Sequence, residues 1–115
     1  MKVEDLASNV ISFELQREPQ MNGELQAVID IAAERPDCNI ILDFAYVDII
    51  TSSSLTMLLK LRQTLLASGK GLILCGLHPF TRSAFEVTGL NGIFDLAADK
   101  QAGLTILSSG CLAGR

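Results

Sequence analysis

The hydrophobic positions change period along the chain, and each change marks an element. From Asn9 to Leu15 apolar and polar residues roughly alternate, as in a half-buried strand. Gln16 to Gln20 is polar and carries Pro19, so it reads as a loop. From Asn22, a residue able to cap a helix, to about Arg35, Leu25, Val28, Ile29 and Ala32 recur on one stripe, and Pro36 forbids continuation. Asn39 to Phe44 is apolar apart from Asp43, the pattern of a strand covered on both faces. A second helix is predicted from about Ser53 to Ser68, ending at Gly69-Lys70-Gly71. At about 100° per residue, Leu55, Leu58, Leu59, Leu61, Leu65 and Leu66 share one arc, with Thr56, Lys60, Gln63 and Ala67 opposite. Arg62 falls inside the leucine arc, where it can snorkel outward, pair with a carboxylate or stand as a buried functional arginine. Leu72 to Cys75 is another buried strand, closed by Gly76. His78-Pro79 opens a third helix, with Phe80, Ala84 and Val87 on one side and Gly89 as a left-handed cap. Phe94-Asp95-Leu96 reads as a short strand. Asp99 caps a last helix to about Leu107, in which Gly103 is a weak point.

The order strand, helix, strand, helix, strand, helix, short strand, helix predicts an α/β fold, with helices packed on a mostly parallel sheet through right-handed crossovers. Helices crowded on one face would leave an edge or the other face for a partner. At 115 residues the chain forms one domain, 1–115, with its core over about residues 8–108 and a frayed tail over 109–115.

Composition narrows the function. Hydrophobic residues make up 49% and charged residues 19%, which excludes a disordered chain. No uncharged apolar run approaches the roughly 18 residues of a membrane helix, and Met1 to Asp5 lacks the apolar centre of a signal peptide. A cytoplasmic protein without membrane insertion is expected. The net charge of −4 argues against nucleic acid, which requires clustered Lys and Arg. Residues 1–50 carry ten acids and three bases, and residues 51–115 carry three acids and six bases. That division gives either an acidic and a mildly basic side or an ordinary mixed surface. The high hydrophobic fraction permits a homodimer without requiring one.

The parts of an enzyme are absent from the sequence. His78 stands directly before Pro79 and reads as a turn or capping residue rather than a base. There is no G-x-S-x-G elbow, no Walker motif and no G-x-G-x-x-G. Cys38, Cys75 and Cys111 include no C-x-x-C pair, and Cys75 reads as core. Asp43 and Asp48 are two carboxylates, a weak metal signal best read as turn formation. Neither a cofactor nor a metal is expected. What remains is Thr51-Ser52-Ser53-Ser54 at a helix start, where unpaired N–H groups and the helix dipole favour an anion. Thr51 or Ser52 can cap the helix, and a neighbouring hydroxyl can carry a phosphate.

The residues Asp43-Phe44-Ala45-Tyr46-Val47-Asp48-Ile49-Ile50-Thr51-Ser52-Ser53-Ser54-Leu55 resemble the STAS-domain signature, close to D-[FL]-S-x-V-x-x-[IM]-D-S-S-G-L in the bacterial anti-sigma factor antagonists. Gly69 to Pro79 resembles the family's G-G-x-[LM]-x-[LV]-x-x-x-x-P, and Phe85 to Leu90 its [LF]-x-x-[ST]-G-L, followed by the apolar pair Ile93-Phe94. The resemblance covers about residues 8 to 108 and implies a four-helix layer on a mixed sheet, with the helices packed largely on one face. It also implies a regulator rather than an enzyme. Its partner would be an anti-sigma factor with serine kinase activity, its switch the phosphorylation of a signature serine, and its reset a serine phosphatase. Residue by residue, that serine falls on Ser53, with Ser52 and Ser54 as alternatives. Thr51, Ser52, Ser54, Thr56, Met57 and Lys60 are the expected partner-binding residues. The same family resemblance also admits a non-phosphorylated docking or scaffold subunit of a sensory assembly, or a partner of a transporter ATPase. Three departures stand out. Thr51 replaces the signature Asp, Ser54 replaces the Gly, and Leu15-Gln16-Arg17-Glu18-Pro19 stands where L-x-G-x-L-D is usual.

Overall fold

A strand turns alternate residues to opposite sides of its sheet. The central strands here are apolar on both sides, so both must be covered. In the computed structural model, which describes residues 1–7 and 9–109, one five-stranded sheet and four α-helices do this. The strands β1 (Lys2–Ala7), β2 (Val10–Glu14), β3 (Asn39–Asp43), β4 (Leu72–Cys75) and β5 (Asp95–Ala97) lie in that order. β1 runs antiparallel to β2, and every later pairing is parallel, so the sheet is mixed but mostly parallel. The helices are α1 (Gln20–Glu34), α2 (Ser52–Ala67), α3 (Pro79–Val87) and α4 (Lys100–Ser109). Of the expected tail over 109–115, Ser109 ends α4, and residues 110–115, with Cys111, lie outside the described residues.

Ile11 and Phe13, Ile40 and Leu42, and Leu72 and Leu74 face the larger core. There they meet Met21, Leu25 and Val28 of α1, Leu58, Leu61 and Leu65 of α2, and Phe85 of α3. On the other side Val10, Ile41, Ile73 and Cys75 meet Leu6 of β1 and Ala102, Leu104, Ile106 and Leu107 of α4. Three helices thus share one face, and α4 covers the other.

Four details differ from the sequence expectation. β1 escaped it because only Val3 and Leu6 interrupt a charged run. Paired on one side only, β1 is half-exposed along its length, and its register shifts between Asp5 and Ala7. Helix α1 begins at Gln20 with Pro19 at its cap position and no capping side chain, so Asn22 is not a cap. Its amide instead donates to Glu18 Oε2 at 3.4 Å. In α3, Phe80, Ala84 and Val87 do share one side, but that side faces outward, with Phe80 79% and Val87 86% exposed. Thr81 and Phe85 are the buried residues, and Phe85 packs on Phe94 with ring centroids 5.8 Å apart. Finally, Gly103 is a contact rather than a weak point. A Cβ there would stand 3.2 Å from both Ile41 Cδ1 and Ile73 Cγ2, so glycine lets α4 lie close on the sheet.

The chain ends follow local chemistry. Asp99 Oδ1 accepts the Ala102 N–H at 2.8 Å and caps α4, as expected. Lys100 donates to Glu4 Oε1 at 2.8 Å across to β1. That hydrogen bond holds Glu4 below the usual carboxylate range and raises the Lys100 ammonium. Gly76, after β4, has φ +67°, and a Cβ there would lie 2.8 Å from Asp43 Oδ1 and 3.4 Å from the Ala45 nitrogen. Asp43 Oδ1 is itself engaged, accepting the Ala45 N–H at 3.0 Å in the turn that leads toward α2. Gly76→Ala is therefore expected to cost about 2–3 kcal/mol. Roughly 1–2 kcal/mol comes from the left-handed backbone, and the rest from the displaced turn bond. Urea denaturation of the variant checks this.

Candidate functional site

Helix α2 carries the serines, and its seating decides which of them meet solvent. Leu58, Leu61 and Leu65 are fully buried, whereas Leu59, on the margin of the predicted leucine arc, is partly exposed. Arg62 is half-buried. Its Nε donates to the Ile93 carbonyl at 3.1 Å, tying α2 to the segment between α3 and β5. With the helix fixed in this rotation, Ser52 and Ser53 are exposed at the first turn and Ser54 is completely buried.

Thr51 is the N-cap. Its backbone is extended, its Oγ1 accepts the Ser54 N–H at 3.1 Å, and its carbonyl accepts the Leu55 N–H at 3.0 Å. The Thr51 hydroxyl donates to Ser54 Oγ at 3.2 Å, and the Ser54 hydroxyl donates to Glu18 Oε1. Asn22 Oδ1 lies 3.2 Å from the same Ser54 oxygen. A hydroxyl has one proton to give, and the carboxylate is the stronger acceptor. The result is a directed chain from the helix cap through Ser54 to a glutamate of the β2–α1 loop. Sequence reasoning missed Glu18 and Asn22, which stand 36 and 32 positions before Ser54 and carry no local signal.

The other expected contact residues divide. Thr56 and Lys60 are exposed, and Met57 is half-buried against the larger core. Thr56 Oγ1 also donates to the Ser52 carbonyl at 3.0 Å, an ordinary bond along the helix. Ser54, expected on the contact face and offered as an alternative acceptor, lies beneath that face with its hydroxyl occupied.

Beside Ser52 runs a groove of about 780 Å³ between the start of α2 and α3. Asp48, Ile49, Ile50 and Leu55 form one wall; Phe80, Ala84 and Thr88 belong to the other. Ile49 is 66% exposed at its mouth, opposite the outward stripe of α3. Phe80 and Ala84 of the stripe seen in the sequence line this groove, but such a stripe ordinarily points inward. His78 caps α3, its Nδ1 accepting the Phe80 N–H at 3.4 Å, and its ring stacks on Phe80.

Cys38 and Cys75 are buried free thiols, and burial, helped by the Asp43 charge, pushes Cys75 up to about 12, so it stays protonated. Among the described residues no group of three or more His, Cys, Asp or Glu could hold a metal ion. No helix among them is long and apolar enough to cross a membrane.

The sequence profile of the STAS domain matches residues 8–103. The chain belongs to the STAS domain family. BtrV of Bordetella bronchiseptica, named as a candidate anti-sigma factor antagonist, is 32% identical over 83 residues, which span 72% of this chain and 68% of BtrV. A Thermotoga maritima protein of the same description superposes with a TM-score of 0.81 at 14% identity, covering 93% of each chain. The anti-sigma factor antagonist SpoIIAA superposes in its unphosphorylated form with a TM-score of 0.70 at 19% identity, covering 93% of this chain and 96% of SpoIIAA. The phosphorylated form of SpoIIAA, from Bacillus, gives 0.68 at 20% identity over 91% and 97%. These likenesses establish the STAS fold. With BtrV they place the chain among proteins resembling anti-sigma factor antagonists.

Proposed function

We propose that this chain is a cytoplasmic, non-catalytic anti-sigma factor antagonist. Its unphosphorylated form captures an anti-sigma factor that is also a serine kinase. Phosphorylation of Ser53 ends that capture, and a serine phosphatase restores it. The observation that carries this reading is the exposed Ser53 in the first turn of α2, one residue from a serine that borders an apolar groove. A hydroxyl there is open to a modifying enzyme. A phosphate would add about −1.5 to −2 charges at neutral pH, and the helix start would tolerate it, since an anion there gains roughly 0.3–1 kcal/mol. The fold would survive the modification, while a partner seated over Ser53 would have to desolvate it. Thr51, Ser52, Thr56, Met57 and Lys60 would form the contact surface, with Ile49 and Phe80 offering apolar anchorage. That the same fold accommodates both forms of SpoIIAA agrees with a switch that leaves the fold intact.

Incubation with ATP and a candidate anti-sigma factor kinase from the same genome, followed by mass spectrometry of the peptide holding residues 51–54, tests the reading. Phosphate on Ser53, abolished in Ser53→Ala, is the expected result. No phosphate on any of these residues, with binding retained, would make the chain a docking or scaffold subunit instead.

A further inference from the structure

We propose that Glu18 is the anionic group of the α2 start and a positioning residue for its switch. A helix N-terminus favours negative charge in its first turn, yet α2 has no acidic residue there. The charge arrives from a distant loop. Glu18 Oε1 accepts the Ser54 hydroxyl, Ser54 accepts from Thr51, and Asn22 Nδ2 steadies the other carboxylate oxygen. Ser54 is fully buried, so the link is shielded from competing water.

This joins the three places where the chain departs from the signature pattern. A glycine at 54 would offer no hydroxyl to Glu18. An acid at 51, beside Ser54, would meet the like charge of Glu18. Thr51, Ser54 and the Glu18-bearing loop therefore form one unit in which the carboxylate comes through space rather than from the cap position.

The unit also bears on phosphorylation. The α2 start already holds one carboxylate, and a phosphate on Ser53 would arrive beside it. Of the two anions, Glu18 is the one held by noncovalent contacts and carried on a loop. Phosphorylation displaces Glu18 from Ser54 and loosens residues 16–19, so the loop reports the modification along with the added charge. This last step rests on the Ser53 switch; the assignment of the charge to Glu18 does not.

Thermal melts of the native protein, Thr51→Asp, Glu18→Gln and the double variant, in low and 1 M salt, test the assignment. Asp caps a helix as well as Thr does, and Gln keeps the shape of Glu without its charge. In low salt Thr51→Asp lowers the melting temperature of the native protein and raises that of Glu18→Gln, each by about 2–5 °C. The reversal shrinks in 1 M salt, where the screening length is about 3 Å. A shift of the same sign in both backgrounds, or a reversal indifferent to salt, overturns the assignment. Should Glu18→Gln fail to fold, Glu18→Ala removes the same charge and takes its place in the cycle. Hydrogen exchange tests the loop step without a kinase. Ser53→Asp speeds exchange over residues 16–22 in the native protein and not in Glu18→Gln; equal exchange in native and Ser53→Asp removes the loop step alone.

Discussion

Ser53→Asp is expected to bind the cognate anti-sigma factor about 10- to 100-fold more weakly than the native protein, while Ser53→Ala binds as tightly as the native protein does. A tenfold loss corresponds to about 1.4 kcal/mol, and desolvating one charge without a partner easily exceeds that. Because Ser53 is exposed on an otherwise well-seated helix, neither substitution disturbs the core. The difference therefore reads the surface rather than the fold. Aspartate carries one charge where phosphoserine carries nearly two, so true phosphorylation should weaken binding further. Titration calorimetry of both variants against the purified partner gives the numbers, and equal affinities would remove the switch.

The second large effect is on folding. Leu58→Ala removes a side chain with no exposed surface from the middle of the contact between α2 and the sheet. Such truncations cost about 2–5 kcal/mol, against a total stability of roughly 5–15 kcal/mol for a domain of this kind. The urea midpoint should fall sharply while the slope stays near its native value. Ser52 and Ser53 depend on this seating, because the rotation of α2 is what brings them to solvent while Ser54 goes under. A midpoint within experimental error of native would mean that the helix finds its orientation elsewhere.

The fold was legible wherever one element's pattern was long enough to decide its own partner. The leucine arc of α2, the apolar runs of β3 and β4 and the Asp99 cap announce themselves within a few residues. β1 did not, because an edge strand buries only part of one face and its charged residues look like a tail. The direction of α3 was equally hidden. Its nine residues offer two faces, Phe80 with Ala84 and Val87 or Thr81 with Phe85, and tertiary contacts choose between them: Phe85 packs in the larger core against Phe94, and Thr81 Oγ1 donates to the Asp48 carbonyl. At the site, the cap and the exposed serines follow from local rules. The Glu18 link does not, since nothing in a polar loop reveals which hydroxyl it will meet 36 residues later. The family signature locates the helix start, and this chain's departures from it become intelligible only once their side chains are brought together in space.

The rims of the sheet carry a last consequence. β5 is three residues long, and β1 is charged and breaks its register between Asp5 and Ala7. Short, interrupted or charged borders make poor templates for an incoming strand. Two copies crowded together thus have little means of zipping their backbones into a growing ribbon.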